Sequence, residues 1–477
     1  MSNKMSNSLL KNSIWSVVGR FGYLIIVLIT NIILARILEP EDFGKVAVVM
    51  FFITFSIIVT ESGLSGALVR KNNASDLDIS TIFIFNFFTS CLLALIIYIF
   101  SGVIAQYYND SSLSDLLVFS ILILVFNALG NIQMTLLIKE MEFKLKSILE
   151  IISVLCGSVV SVVLAVNNFG KVSIIWMYVI NSIILTVLMW LVVGPLRTYK
   201  FSLKSFKEFY EFGINTTLTA AINAIFNSIY QLIFGKYFSM SVSGYYQQAK
   251  QLHDVPVNLL QSSIISVFYS ALSKRQDDKN SFNIFYDLIL SYYIVIVSLV
   301  SSFIFLYSDL VVSLILGEKW FIASIYLKFL IIGALFYCVE VFYKNILKVF
   351  NRTDLILKIE IIKKIFQVLT ILVGFYSFNV LTFIYGLILT NIFGMILVCY
   401  YANSVRGVVE FGYIKSLIIT SFMCLIFYYI LDFFDSSYFG IVYYILYVFI
   451  YFCILKVFGL FDFFNVLKKI RTNMGGV

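Results

Sequence analysis

Arg20, Glu61, Lys250, His253, Asp254, Glu340 and Lys344 are ionisable side chains inside stretches of this chain that are otherwise apolar. A charged side chain in hydrocarbon costs at least ~2.5–3.5 kcal/mol at a helix centre, so such groups face a partner or a wet cavity. Each offers a definite chemistry. The Arg20 guanidinium can grip a phosphate in a forked geometry while staying charged, or it can pair with Glu61 at a similar depth on the next helix. Glu61 can instead be the titrating group for a coupling ion. Glu340 and Lys344 are spaced i, i+4 and can pair on one helical face, as can Lys250 and Asp254. His253, the only histidine, reads either as a proton relay or as a solvated side chain near the outer end of its helix. Pro256, just beyond it, removes a backbone donor and is expected to kink that helix. Glu150, Asp287, Glu360, Lys363 and Lys364 fall near the cytoplasmic surface and read as snorkelling or surface-paired groups.

No phosphate-cradling P-loop, HExxH or Cys/His cluster competes with this pattern, so neither a catalytic nor a metal site is expected. Cys91, Cys156, Cys338, Cys399, Cys424 and Cys453 lie within or at the ends of apolar segments without CxxC spacing, and read as packing residues. The outward connections are short and acidic, which leaves an enzyme little scaffold there.

The elements that position these groups are fourteen apolar segments. They fall near 12–35, 45–68, 79–104, 115–138, 147–167, 172–194, 208–235, 245–272, 284–306, 322–349, 357–377, 380–402, 413–431 and 437–458. Segments of about 20 residues cross ~30 Å of hydrocarbon. With 61% hydrophobic and 13% charged residues, against about 25% charged in soluble domains, the chain reads as an all-α integral membrane protein. The first segment is too long for a signal-peptide core and reads as a spanning helix. Lys and Arg crowd into every second connection, 22 against 5 in the others. The basic side is therefore expected to be cytoplasmic, with both termini on it. The net charge of +8 is spread in small clusters, which suits orientation and anionic lipid rather than nucleic acid.

The chain repeats itself. Asn31 to Leu38, followed by Gly44, aligns with Gln231 to Phe238, followed by Gly244, at an offset of 200. Leu149 to Ile152 aligns with Ile359 to Ile362 at an offset of 210. Six spans separate the copies, so the halves share one orientation. This predicts two parallel six-helix lobes around a central cavity, residues 1–200 and 201–403, with a further helix pair and tail over 404–477. Polar stripes support it at helical spacing. Asn223, Asn227 and Gln231 share a face of the seventh segment, and Gln247, Gln251, Asp254 and Asn258 a face of the eighth. Helix–helix hydrogen bonding or the lining of a wet cavity would account for such stripes.

The runs Asn12-Ser13-Ile14-Trp15, Leu34-Ala35-Arg36-Ile37-Leu38-Glu39-Pro40-Glu41-Asp42-Phe43-Gly44, Glu61-Ser62-Gly63-Leu64 and Met141-Glu142-Phe143-Lys144 resemble the bacterial polysaccharide and O-antigen flippases. The stretch from Gly244-Tyr245-Tyr246-Gln247-Gln248 through Pro256 to Leu272-Ser273-Lys274 is similar to them too. These belong to the multidrug/oligosaccharidyl-lipid/polysaccharide exporter superfamily, and the nearest branch exports colanic and teichuronic acid. The resemblance covers roughly the first 275 residues, and the remainder by helix count. It implies a MATE-like bundle that moves oligosaccharides on undecaprenyl diphosphate to the outer leaflet by alternating access. The setting would be the bacterial cytoplasmic membrane, with H+ or Na+ as the transported coupling ion and no bound cofactor. A polysaccharide polymerase and a chain-length regulator would be partners, as in lipopolysaccharide biosynthesis. It carries diphosphate contact to Arg20, with Lys250 and Lys344 beside it. Asn223, Asn227, Gln231, Gln247, Gln251 and Asn258 complete the expected substrate lining; Glu61, His253, Asp254 and Glu340 are the expected coupling groups. A drug or metabolite exporter of the same fold is the nearest rival. A membrane polymerase or glycosyltransferase would be expected to show a larger catalytic loop or a carboxylate pair.

Overall fold

A computed structural model of the chain describes residues 2–61, 63–273, 279–407, 412–434 and 440–457. Ser62, Lys274, Arg275, Asp435, Lys468, Lys469 and Arg471 lie outside the described residues. The described chain is helical throughout. The helices are α1 (Ser2–Ile37), α2 (Pro40–Glu61), α3 (Leu64–Arg70), α4 (Asp76–Tyr108), α5 (Ser112–Lys139), α6 (Phe143–Val166), α7 (Lys171–Val193) and α8 (Leu203–Tyr237). They continue as α9 (Met240–Ser273), α10 (Lys279–Leu306), α11 (Ser308–Ile315), α12 (Phe321–Val349), α13 (Thr353–Ser377), α14 (Val380–Arg406), α15 (Gly412–Phe434) and α16 (Gly440–Val457), with one 3₁₀ turn at Glu318–Trp320. Ten helices among the described residues are long and apolar enough to cross a membrane, which makes this a multi-pass membrane protein.

Two features depart from the apolar pattern. The run expected to span 45–68 is broken: α2 stops at Glu61, Gly63 takes φ 63° and the short α3 follows. Hydrophobicity does not report such a break, because it is made by one residue in the left-handed region. The second departure is α11 with its 3₁₀ turn, inserted where the first half has only the turn Asn109–Ser111.

That insertion explains the drifting repeat. Helices α1 and α2 meet between Ile37 and Pro40, and α8 and α9 between Tyr237 and Met240, an offset of 200. Beyond α11 the starts of α5 and α12 differ by 209, and those of α6 and α13 by 210. The packing repeats as well. The α4–α5, α5–α7 and α6–α7 pairings recur as α10–α12, α12–α14 and α13–α14.

The chain forms two compact units, one of residues 1–247 with 315–317, the other of 248–314 with 318–477. Within the first, small polar side chains bind helix to helix, as they do where water gives no driving force. Ser90 Oγ donates to the Leu124 carbonyl at 3.0 Å, Ser161 Oγ to that of Ser173 at 2.8 Å, and Thr186 Oγ1 to that of Phe126 at 2.7 Å. Outward positions such as Phe88, Leu92, Tyr98 and Ile99 on α4 are apolar and exposed, as lipid-facing residues should be. Lys45 at the start of α2 pairs with Asp110 at 2.9 Å. Burial pushes the Asp110 carboxyl up, but hydrogen bonds from Ser112 and Lys45 prevail and hold it below its ordinary value.

In the first unit, α2 and the opening turns of α9 touch backbone to backbone. A methyl added at Gly44 would run into the Met240 carbonyl and stand 3.0 Å from Gly244 N. A methyl at Gly244 would meet the Pro40 carbonyl and stand 3.1 Å from Gly44 N. Residues 40 and 44 thus face 244 and 240 reciprocally, the relation that two copies of one segment adopt across a local two-fold axis. Gly44→Val should destabilise the folded protein at the upper end of the ~1–3 kcal/mol of overpacked sites. Thermal unfolding in detergent, compared with Gly66→Ala at an open position, would check this; equal midpoints would refute the contact.

The second unit is aromatic at its centre, where Tyr286, Tyr293 and Phe342 pack with ring centroids 5.0–5.2 Å apart. The last helices dock there through α16. Tyr444, Tyr447 and Tyr451 stack along one face at 5.8 and 6.1 Å, and Tyr444 donates to the Leu299 carbonyl at 2.7 Å.

Candidate functional site

In the first unit, Glu61 opens onto a small chamber. Ile57, Thr60 and Glu61 line it from α2, Asn86 from α4, and Leu124, Asn127, Ala128 and Asn131 from α5. The spacings i, i+3, i+4 and i+7 place each set on one helical face. Asn131 Nδ2 donates to Glu61 Oε1 at 2.8 Å, and Ser65 Oγ on α3 donates to Asn131 Oδ1 at 2.7 Å. The break after α2 therefore brings Ser65 back over the chamber. Neither polar atom of Asn86, 1% exposed, has a partner, and neither has Thr60 Oγ1. The expected alternative of an Arg20–Glu61 ion pair is absent among the described residues. Arg20 is exposed there and makes no hydrogen bond or ion pair.

In the second unit, Glu340 is fully buried and clamped between two lysines, 2.6 Å from Lys344 Nζ and 2.7 Å from Lys363 Nζ. Lys344 also pairs with Glu360. The i, i+4 pair read from the sequence is thus one arm of a network joining α12 to α13. Gly394 on α14 makes room for it, since a Cβ there would lie 2.7 Å from Glu340 Oε2. Balanced by two carboxylates, Lys344 has little charge left for a substrate phosphate. Lys363 does not snorkel as expected: it is 8% exposed, because its partner Glu340 lies inside the bundle.

The remaining predicted residues divide by exposure. Asn223, Asn227 and Asn258 are exposed, Gln247 and Gln251 half-buried. Gln231 is buried with its Nε2 unpartnered. Asp254 lies 2.8 Å from His253 Nδ1 and also acts electrostatically on half-buried Lys250. Six free cysteines, and no cluster of three or more His, Cys, Asp or Glu side chains that could hold a metal ion, are found among the described residues.

Arg406 is a buried cation that its position in the sequence does not reveal. It reads there as a loop residue, but it is 3% exposed at the end of α14. Its Nε donates to Asn283 Oδ1 at 2.9 Å and its Nη2 to Asp287 Oδ1 at 2.6 Å, with the guanidinium over the Tyr286 ring. Asp287, also expected at the surface, is thereby held in a staple between α10 and α14. Only the stretch of polar residues 283 and 287 at i, i+4 hinted at it.

Comparison with known proteins decides the family. The family described as polysaccharide biosynthesis protein matches residues 33–325, more than half of the chain. The chain belongs to that family. It is similar to the succinoglycan biosynthesis transport protein ExoT of Rhizobium meliloti (strain 1021), 24% identical over 56% of this chain and 54% of that protein. The chain therefore spans about half the length of that relative. It is 24% identical to the lipopolysaccharide biosynthesis protein WzxC of Escherichia coli (strain K12) over 80% of this chain and 78% of the relative. Among solved structures, the lipid II flippase MurJ in an inward closed conformation shares the fold, with a TM-score of 0.75, 17% identity, and coverage of 93% of this chain and 98% of that one.

Proposed function

We propose that this chain is a flippase, not an enzyme, and that its cargo is an oligosaccharide repeat unit on undecaprenyl diphosphate. It moves the unit from the cytoplasmic to the outer leaflet of the bacterial cytoplasmic membrane by alternating access, with both termini cytoplasmic and an H+ or Na+ ion coupled to the movement. The observation that carries this reading is membership of the polysaccharide biosynthesis family by a chain with the MurJ fold. Two lobes, residues 1–200 and 201–403, would move about the cargo, with 404–477 appended.

The division of labour follows from charge. Arg20, exposed and paired with nothing among the described residues, is the cation suited to the diphosphate. The exposed amides Asn223, Asn227 and Asn258 suit sugar hydroxyls. Glu61 is suited to the coupling ion, because no cation pairs with it among the described residues. A polymerase and a chain-length regulator would act on the delivered units. Deleting the gene should make the cell accumulate complete lipid-linked repeat units, read by mass spectrometry of extracted lipids. A deletion strain that instead exports single unpolymerised units would make the protein a polymerase and end this reading.

A further inference from the structure

We propose that the chamber between α2, α4 and α5 is a sodium site, with Glu61 as the charged ligand and Thr60, Asn86 and Asn127 as neutral oxygen ligands. The inference rests on the cation-coupled reading above and names the ion and the side chains that hold it.

Size comes first. The chamber measures about 10 Å³, room for about one water-sized particle. A carboxylate, three carboxamides and a hydroxyl line it together with Ile57, Leu124 and Ala128. Oxygen donors of this kind suit a hard cation.

Unmet hydrogen-bonding capacity comes second. Asn86 and Thr60, 1% and 3% exposed, present polar atoms with no partner at this chamber. Buried groups of that kind call for a ligand or an ordered water. A cation at this position would engage the Asn86 amide oxygen and the Thr60 hydroxyl oxygen.

Charge comes third. Among the described residues Glu61 receives only the neutral Asn131 amide. Lys139, further along α5, is committed to the Leu68 and Lys71 carbonyls. One uncompensated carboxylate matches a monovalent ion better than a divalent one. Because α2 ends at Glu61, the negative end of its dipole adds to the attraction, and interrupted helices present such ends to ions in other transporters.

The experiment uses the purified full chain without cargo. Its thermal unfolding midpoint is followed while NaCl replaces choline chloride at constant ionic strength, with KCl in parallel. A saturable, sodium-selective rise is expected for the wild type, with half-saturation moved at least tenfold higher in Glu61→Gln and in Asn86→Leu. Size-exclusion profiles identify any variant that fails to fold, and Asn127→Ala serves in its place. No sodium-selective rise, a rise that survives both variants, or a shift that follows pH alone would overturn the assignment. Because no lipid-linked sugar is present, this outcome is separate from that of the flippase reading.

Discussion

Arg20→Ala should lower transport by about 10- to 100-fold while leaving the protein folded and inserted. A hydrogen bond to a charged group contributes ~1.5–3 kcal/mol, and each 1.36 kcal/mol is tenfold. Stability should hold because Arg20 is exposed and bonded to nothing among the described residues. Arg20→Lys keeps the charge without the fork, so it should recover part of the activity. The measurement is glycan export in a deletion strain carrying each variant at matched membrane abundance. Normal export by the alanine variant would remove Arg20 from the diphosphate site.

Glu340→Leu should cost about 3–5 kcal/mol of stability, the loss found when one partner of a buried ion pair is removed. It strands Lys363, whose side chain is 10% exposed, while Lys344 keeps Glu360. Removing both charges with Glu340→Leu and Lys363→Met should restore most of the loss, since an apolar pair of similar volume is close to neutral. Unfolding of the single and double variants in detergent reads this directly. A fully stable single variant would show that the pair does not hold α12 to α13.

The long helices were legible because each is a long apolar run, and the run edges at Ile37 and Pro40, or Tyr237 and Met240, carry their own charge and turn signals. The repeat was legible for the same reason, including the matching Gly44 and Gly244, whose contact only the structure shows. What escaped depends on tertiary neighbours. Gly63 breaks a helix by its φ of 63°, which no hydropathy pattern records. Arg406 looks like any loop cation until α14 places it against Asn283 and Asp287, more than a hundred positions away in the chain. Lys363 looks like a surface lysine until Glu340 draws it inward. Asn86 lies among the apolar residues of α4 with only Thr89 and Ser90 as polar neighbours one turn on. Its meaning comes from Thr60 and Asn127 on the neighbouring helices.

The central claim concerns which leaflet holds the cargo. Spheroplasts of a strain lacking the protein, and of the same strain with the gene restored, would be exposed to a membrane-impermeant reagent that oxidises sugar diols. If the protein is the flippase, the lipid-linked repeat units should be protected in the deletion strain and oxidised when the gene is restored. Equal oxidation in both strains would contradict the account.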